Sequence, residues 1–265
     1  MINITRNKHL FAKQQLQALQ FLEMKLYRKI NPILKNTYKE VVKIVEHGDV
    51  LNIVPTIVNR NSNKIREVIK NQYKKIGQYN FKQVTDRLQE LKPKKIKDYY
   101  YKDAENNFWY YFEIWSNQQS LIKSKLIDDT TKKIIRSIIE KGIKDGKSYK
   151  EISKDIEQAT GFTKNRSMMI AMTETHTAFN KSQFESIQNN NVKMETKEWL
   201  NAGDERVRKD PFSHVRAQGE KVKMNDKFIM TGEALMYPGD IEGSAANVIR
   251  CRCVTLYNTE VTEIG

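Results

Sequence analysis

The sequence predicts an α+β protein. A mainly helical amino-terminal part is followed by a small, loop-rich α+β carboxy-terminal domain with a short antiparallel sheet. Three observations carry this reading. From about residue 8 to residue 189 apolar residues recur at mostly three-and-four spacing, the period of an amphipathic helix. After Asn189 the pattern shifts to short alternating runs broken by Gly203, Gly219, Gly232, Gly239 and Gly243. Between the two, Ser148-x-x-Glu151 has the form of a capping box, in which each side chain satisfies a free backbone N–H at the other end. The predicted division is a basic, mostly helical region over 1–127 and a second domain over 128–265.

In chain order, Leu16, Leu19, Leu22 and Leu26 place a helix over 8–47, with a break expected at Pro32 because proline removes a hydrogen bond in a helix interior. A further helix is predicted from Asn61 to Tyr79, followed by Val84 and Leu88. Asn106 to Ile127, with Phe108, Trp109, Phe112 and Trp115, reads as the most buried helix of this half. Asp128-Asp129-Thr130 is suited to start a new helix, ending near Gly142 as a cap. The capping box then opens a short helix ending at Gly161, and a longer one runs from about Lys164 to Asn189. Strands are expected at Thr196–Leu200, Lys221–Met224, Phe228–Met230 and Ile249–Tyr257.

Charge is distributed unevenly. Residues 1–150 hold 31 Lys+Arg against 15 Asp+Glu, whereas the remainder holds 15 against 17, so the net charge of +14 arises in the first part. Such a field favours polyanions, nucleic acid first and an acidic protein surface second. The basic run around Pro93, with Lys92, Lys94, Lys95 and Lys97 leading into Tyr99, Tyr100 and Tyr101, is the candidate DNA contact. No apolar run approaches the ~18–20 residues that span a bilayer, and no signal-peptide pattern opens the chain. No membrane partner is expected, and synthesis in a reducing cytoplasm is. Cys251 and Cys253 on an extended strand would have backbones about 7 Å apart, at the edge of disulfide geometry.

The reactive residue types concentrate between Trp199 and Cys253, with Glu174 and His176 on the helix just before. His176, His214, Cys251 and Cys253 form a formal zinc inventory, but C-x-C on a strand is a poor chelate, so no cofactor is expected. Glu174 reads as a buried carboxylate rather than a catalyst. Asp204, Glu205, Arg206 and Arg208 read as a salt-bridged turn. The competing reading is a metal-dependent nuclease or effector enzyme using Glu174, Asp204, His214 and the cysteines. Phosphate loops, nucleophile elbows and dinucleotide fingerprints do not occur, which disfavours ATPases, serine hydrolases and Rossmann enzymes.

The order of these motifs resembles the head morphogenesis domain of tailed bacteriophages, the minor head protein family related to protein F of phage Mu and the minor head protein of phage SPP1. The resemblance covers roughly 130–258. It runs through K-S-Y-K-E-I-S-K-D-I and A-M-T-E-T-H-T-A-F-N, which includes Glu174 and His176. It continues through W-L-N-A-G-D-E-R-V-R with Trp199, Asp204 and Arg206, then His214-x4-Gly219. It closes on Tyr237-Pro238-Gly239-Asp240 and the terminal C-x-C. Departures are Met172 where the family usually has arginine, an Asp210–Ser213 insertion, and Arg250 directly before Cys251. The resemblance implies a non-catalytic virion component of the phage or prophage head interior, present in few copies. Such a component would bind the portal and capsid or scaffold proteins, with double-stranded DNA as a further partner of the basic half.

Overall fold

A computed structural model describes residues 8–47, 53–89, 97–190, 194–209 and 214–258. Lys92, Lys94, Lys95 and the Asp210–Ser213 insertion lie outside the described residues, as does the side chain of Lys97. The fold is α+β, as the sequence predicts. Its elements are α1 (Lys8–Glu46), α2 (Ile53–Gln89), α3 (Lys97–Lys144), α4 (Tyr149–Ala159), a 3₁₀ turn (Thr160–Phe162), α5 (Thr163–Gln188), β1 (Thr196–Leu200), β2 (Lys221–Lys223), β3 (Phe228–Met230), β4 (Glu233–Leu235), α6 (Ala245–Val248) and β5 (Val254–Asn258). The chain forms two compact units from non-contiguous segments. One comprises Met1–Glu23, Tyr73–Glu113 and Met172–Gly265; the other comprises Met24–Gln72 and Ile114–Ala171. The 127/128 division suggested by the sequence falls inside α3.

The second unit is helical, and its core joins Tyr38, Val41 and Val45 of α1 to Val54, Ile57 and Val58 of α2, Ile135 and Ile139 of α3, and Ile152 and Ile156 of α4. Pro32 does not break α1. It is exposed, while Leu26, Ile30, Leu34, Tyr38, Val41 and Val45 continue the buried stripe past it. A proline in a helix costs about 3 kcal/mol; burying each Leu, Ile or Val returns about 1.5–3 kcal/mol, so the stripe prevails.

Asp128-Asp129-Thr130 does not start a helix either, because α3 runs through it. Thr130 and Thr131 donate back to the carbonyls of Leu126 and Ile127 (2.8 and 2.7 Å), as hydroxyls do inside a helix rather than at its cap. Asp128 is buried and takes a hydrogen bond from Ser62; burial pushes its carboxyl above the usual range. Arg166 at the start of α5 donates to Thr131 Oγ1 and Ile127 O (2.8 and 2.7 Å), so this stretch is a lateral clamp.

Gly142 is inside α3, and Gly146, at φ +71°, takes the left-handed position after its end. Gly142 is glycine for a different reason: a Cβ there would lie 2.5 Å from Ile152 Cγ1. The close approach packs α3 on α4, which the Ser148/Glu151 capping box opens as predicted.

In the first unit β1 is the central strand of an antiparallel sheet ordered β2-β1-β5. β3 and β4 form a separate hairpin, whose two-residue turn, Thr231 (φ 51°) and Gly232 (φ 82°), has the positive φ values of a type I′ turn. The alternation expected from Ile249 becomes a strand only at Val254. No helix among the described residues is long and apolar enough to cross a membrane.

Substituting Gly142→Ala tests the α3–α4 contact. Alanine gains about 1 kcal/mol of helix propensity, but the overlap with Ile152 costs more, about 1–3 kcal/mol. A lower melting temperature is expected. An unchanged or raised melting temperature contradicts the contact.

Candidate functional site: a buried histidine–cysteine cluster

The site is assembled at the carboxy-terminal end of the first unit. Arg250 adopts a left-handed φ of 56°, and the Cys251 amide closes a turn onto Val248 O at 3.1 Å. Cys251-Arg252-Cys253 is therefore not strand, and both thiols face one place. His214 faces the same place: its Nδ1 lies 3.6 Å from Cys251 Sγ and 3.4 Å from Cys253 Sγ. The three ligand atoms lie within 4.8 Å of one another and form the one such metal-capable group among the described residues. The site is closed, since His214, Cys251 and Cys253 expose 1, 3 and 1% of their surface.

The surroundings fix the imidazole. Asn247 Nδ2 donates to Thr231 Oγ1 at 3.0 Å and approaches Met230 O at 3.4 Å, which turns Asn247 Oδ1 to the His214 ring, 3.2 Å from Nε2. Nε2 is then the protonated nitrogen, and Nδ1 presents its lone pair to the sulfurs. Trp199, fully buried at the centre of β1, packs edge-on to both His214 and Phe228, with centroids at 5.4 and 5.3 Å.

Burial pushes the Cys251 thiol up, but a hydrogen bond with Cys253 and the nearby His176 and His214 together hold it well below the usual range. Cys253 is pushed well up, first by burial and then by its bond with Cys251 and that group's charge.

His176 supports this site from α5. It is buried, which lowers its pKa, and its ring is hydrogen-bonded to the Cys253 carbonyl. Asn180, one turn on, reaches the same carbonyl at 3.4 Å. The formal four-residue inventory thus resolves into three converging ligand atoms and a histidine that holds the C-x-C backbone.

The Tyr237-Pro238-Gly239-Asp240 turn also packs on α5. Asp240 N bonds to Tyr237 O at 3.2 Å and Gly239 has φ +76°, as a type II turn requires. A Cβ on Gly239 would lie 3.0 Å from His176 Nδ1. Asp240 accepts from the backbone N–H groups of Met236 and Glu242 (2.7 and 3.2 Å). Lys197, a buried lysine absent from the sequence-nominated set, donates to Met236 O at 2.8 Å and sits over the Phe184 and Phe228 rings. Burial lowers its pKa to about 8. Period-2 alternation puts Lys197 on the face of the buried Trp199, but the charge of a lysine ordinarily assigns it to solvent.

The other nominated groups lie outside the cluster. Glu174 accepts a hydrogen bond from the Tyr73 hydroxyl in a buried pair. Asp204 caps its own turn through Arg206 N (3.1 Å) and is ion-paired with Arg206 and Arg252. Partial burial raises its pKa, but the bond and charge of Arg252 outweigh this and leave it lowered. Gly219 donates to Trp199 O at 2.8 Å and ends the loop that carries His214 back to β1.

Residues 133–256, a little under half of the chain, match the family described as Phage Mu protein F like protein. Among curated proteins, the chain is 27% identical over 135 residues to the NAD(+)–arginine ADP-ribosyltransferase EFV of Enterococcus faecalis, covering 50% of this chain and 26% of that protein. It is 22% identical over 142 residues to the uncharacterised protein YqbB of Bacillus subtilis, covering 53% of this chain and 46% of that protein. The chain thus spans less than half the length of either relative. No solved structure matches it significantly.

Glu23 gives the site region a pH dependence. Burial raises its pKa from 4.5 to about 7, against the opposing charges of Arg252 and Arg206. Between pH 4.5 and 7 the folded state therefore binds more protons than the unfolded state, and stability falls as pH rises through that window. Glu23→Gln should flatten the fall and leave the variant more stable at pH 8, by about 1–3 kcal/mol. Denaturant unfolding at pH 5 and pH 8 measures it; equal pH slopes in both proteins contradict the assignment.

Proposed function

We propose that this chain, whose residues 133–256 match the Phage Mu protein F like family, is a non-catalytic minor head protein of a tailed bacteriophage or prophage. It acts in head morphogenesis and in genome packaging or ejection, inside the virion head, through contacts with the portal and inner capsid and with DNA. The family match carries this reading. The site supports it, because the residues that would make a catalyst are engaged in holding structure. Neither carboxylate of the nuclease reading lies in the histidine–cysteine cluster: Glu174 is bonded to Tyr73, and Asp204 is held by Arg206 and Arg252. The basic excess of the first 150 residues suits a DNA or acidic protein surface.

A catalytic reading has one specific observation in its favour, the similarity to an ADP-ribosyltransferase. The matched part is 26% of that protein, so its activity belongs to a much longer chain.

Two measurements separate the readings. Co-expressed with the portal protein of the same phage or prophage, the chain should co-elute with the portal oligomer on size exclusion. Incubated with NAD and arginine-rich acceptor proteins, it should release no nicotinamide above the buffer rate. Failure to bind portal or capsid protein, or nicotinamide release lost on denaturation, sinks the proposal. DNA binding, if it uses six or more phosphate contacts, should weaken by about 10³-fold or more between 50 and 200 mM salt.

A further inference from the structure

We propose that Cys251, Cys253 and His214 bind one zinc ion through the two Sγ atoms and Nδ1, and that this ion is a structural staple of the carboxy-terminal unit. The inference goes beyond the head-protein reading and does not depend on it.

Geometry is the first argument. With Zn–S near 2.3 Å and Zn–N near 2.0–2.1 Å, a tetrahedral site places its sulfur and nitrogen ligands about 3.6 Å apart. His214 Nδ1 lies 3.6 and 3.4 Å from the two sulfurs. Both sulfur–nitrogen distances are therefore already those of a zinc site.

Ligand chemistry is the second. Two thiolates and an imidazole suit zinc, whereas hard cations such as magnesium and calcium prefer oxygen. The lone pair must be on the nitrogen facing the sulfurs, and Asn247 places it there by accepting from Nε2–H. A ligating histidine characteristically donates its other N–H to a carbonyl or carboxylate oxygen in this way.

The third argument comes from buried donors. Trp199 Nε1 and Arg208 Nη1 are buried and have no hydrogen-bond partner. Both side chains lie in the surroundings of Cys253. Buried donors without partners are rare, and a metal-bound thiolate offers the indole N–H an acceptor. The ion takes both cysteines as thiolates, and any thiol proton is released to solvent on binding.

The objection from sequence was that C-x-C on a strand is a poor chelate. Here the pair precedes β5, and the left-handed Arg250 turns both sulfurs inward. Zinc would tie the loop carrying His214 to the segment entering β5, 37 residues further on. The three residues leave the fourth coordination position to a ligand outside this set.

The test starts with the unaltered full-length protein, so it does not depend on any variant folding. Purified without chelators from zinc-supplemented cells, it should contain one zinc per chain by elemental analysis. After chelation it should bind one equivalent of cobalt(II), giving thiolate-to-cobalt absorption in the near ultraviolet that zinc then abolishes. Cys251→Ser and Cys253→Ser should each lose that absorption. Asn247→Ala, which removes only the positioning bond to His214, should keep one-to-one binding with zinc affinity about 10–100-fold weaker. Two results overturn the proposal. One is unaltered protein that carries no zinc and takes up no cobalt. The other is an intact mass two hydrogens short, with Cys251 and Cys253 joined as a resident disulfide.

Discussion

Much of the first unit depends on how α5 is buried. From Thr173 to Asn180 every residue of this helix is buried, and many are polar. A buried polar group without a partner costs about 1–3 kcal/mol, so partners for most of these groups matter, although Thr175 Oγ1, Thr177 Oγ1 and Asn180 Oδ1 have none. α2 supplies several. Tyr73 meets Glu174, Asn80 donates to Phe179 O and Ser182 Oγ (2.9 and 2.7 Å), and Thr85 pairs with Asn190. The carboxy-terminal segments supply others: Thr173 accepts from Arg250 N at 3.1 Å, and Asn180 reaches Cys253 O. The helix thus sets where the C-x-C segment turns, and hence where two sulfurs meet His214.

That constraint explains why the reactive residue types cluster with many of their polar groups already engaged. His176 and Gly239 fit against each other, Asp240 folds its own turn, and Trp199 packs beneath His214. Each residue that seemed available for chemistry in sequence has a structural partner in three dimensions. The same arrangement makes the order and spacing of the motifs recognisable, because each motif is a contact point on a shared scaffold.

Legibility followed locality. The Ser148/Glu151 box, the span of α5 and the strands at 196–200 and 228–230 were readable because short-range chemistry decides them. Three helix boundaries were misread where tertiary packing overrides a local cue. Pro32 is carried by a buried stripe, Asp128 is taken up by Ser62, and Gly142 answers to Ile152 rather than to a helix end. The site was half legible. Its residue types were evident, but the convergence of His214 with the cysteines required Arg250 in a left-handed turn, which nothing in the sequence marks. The Tyr73–Glu174 pair joins residues 101 positions apart, beyond the reach of any periodicity.

In the proposed role the histidine–cysteine cluster serves the architecture of the carboxy-terminal segments, in a chain whose first 150 residues hold its basic excess. The proposed role makes the protein a built-in part of the phage head. Quantitative mass spectrometry of purified, DNA-filled heads treated with nuclease and protease tests this most directly. The account predicts the intact chain, protected from protease and present in few copies per head. Heads that package DNA yet contain none of it would contradict the claim.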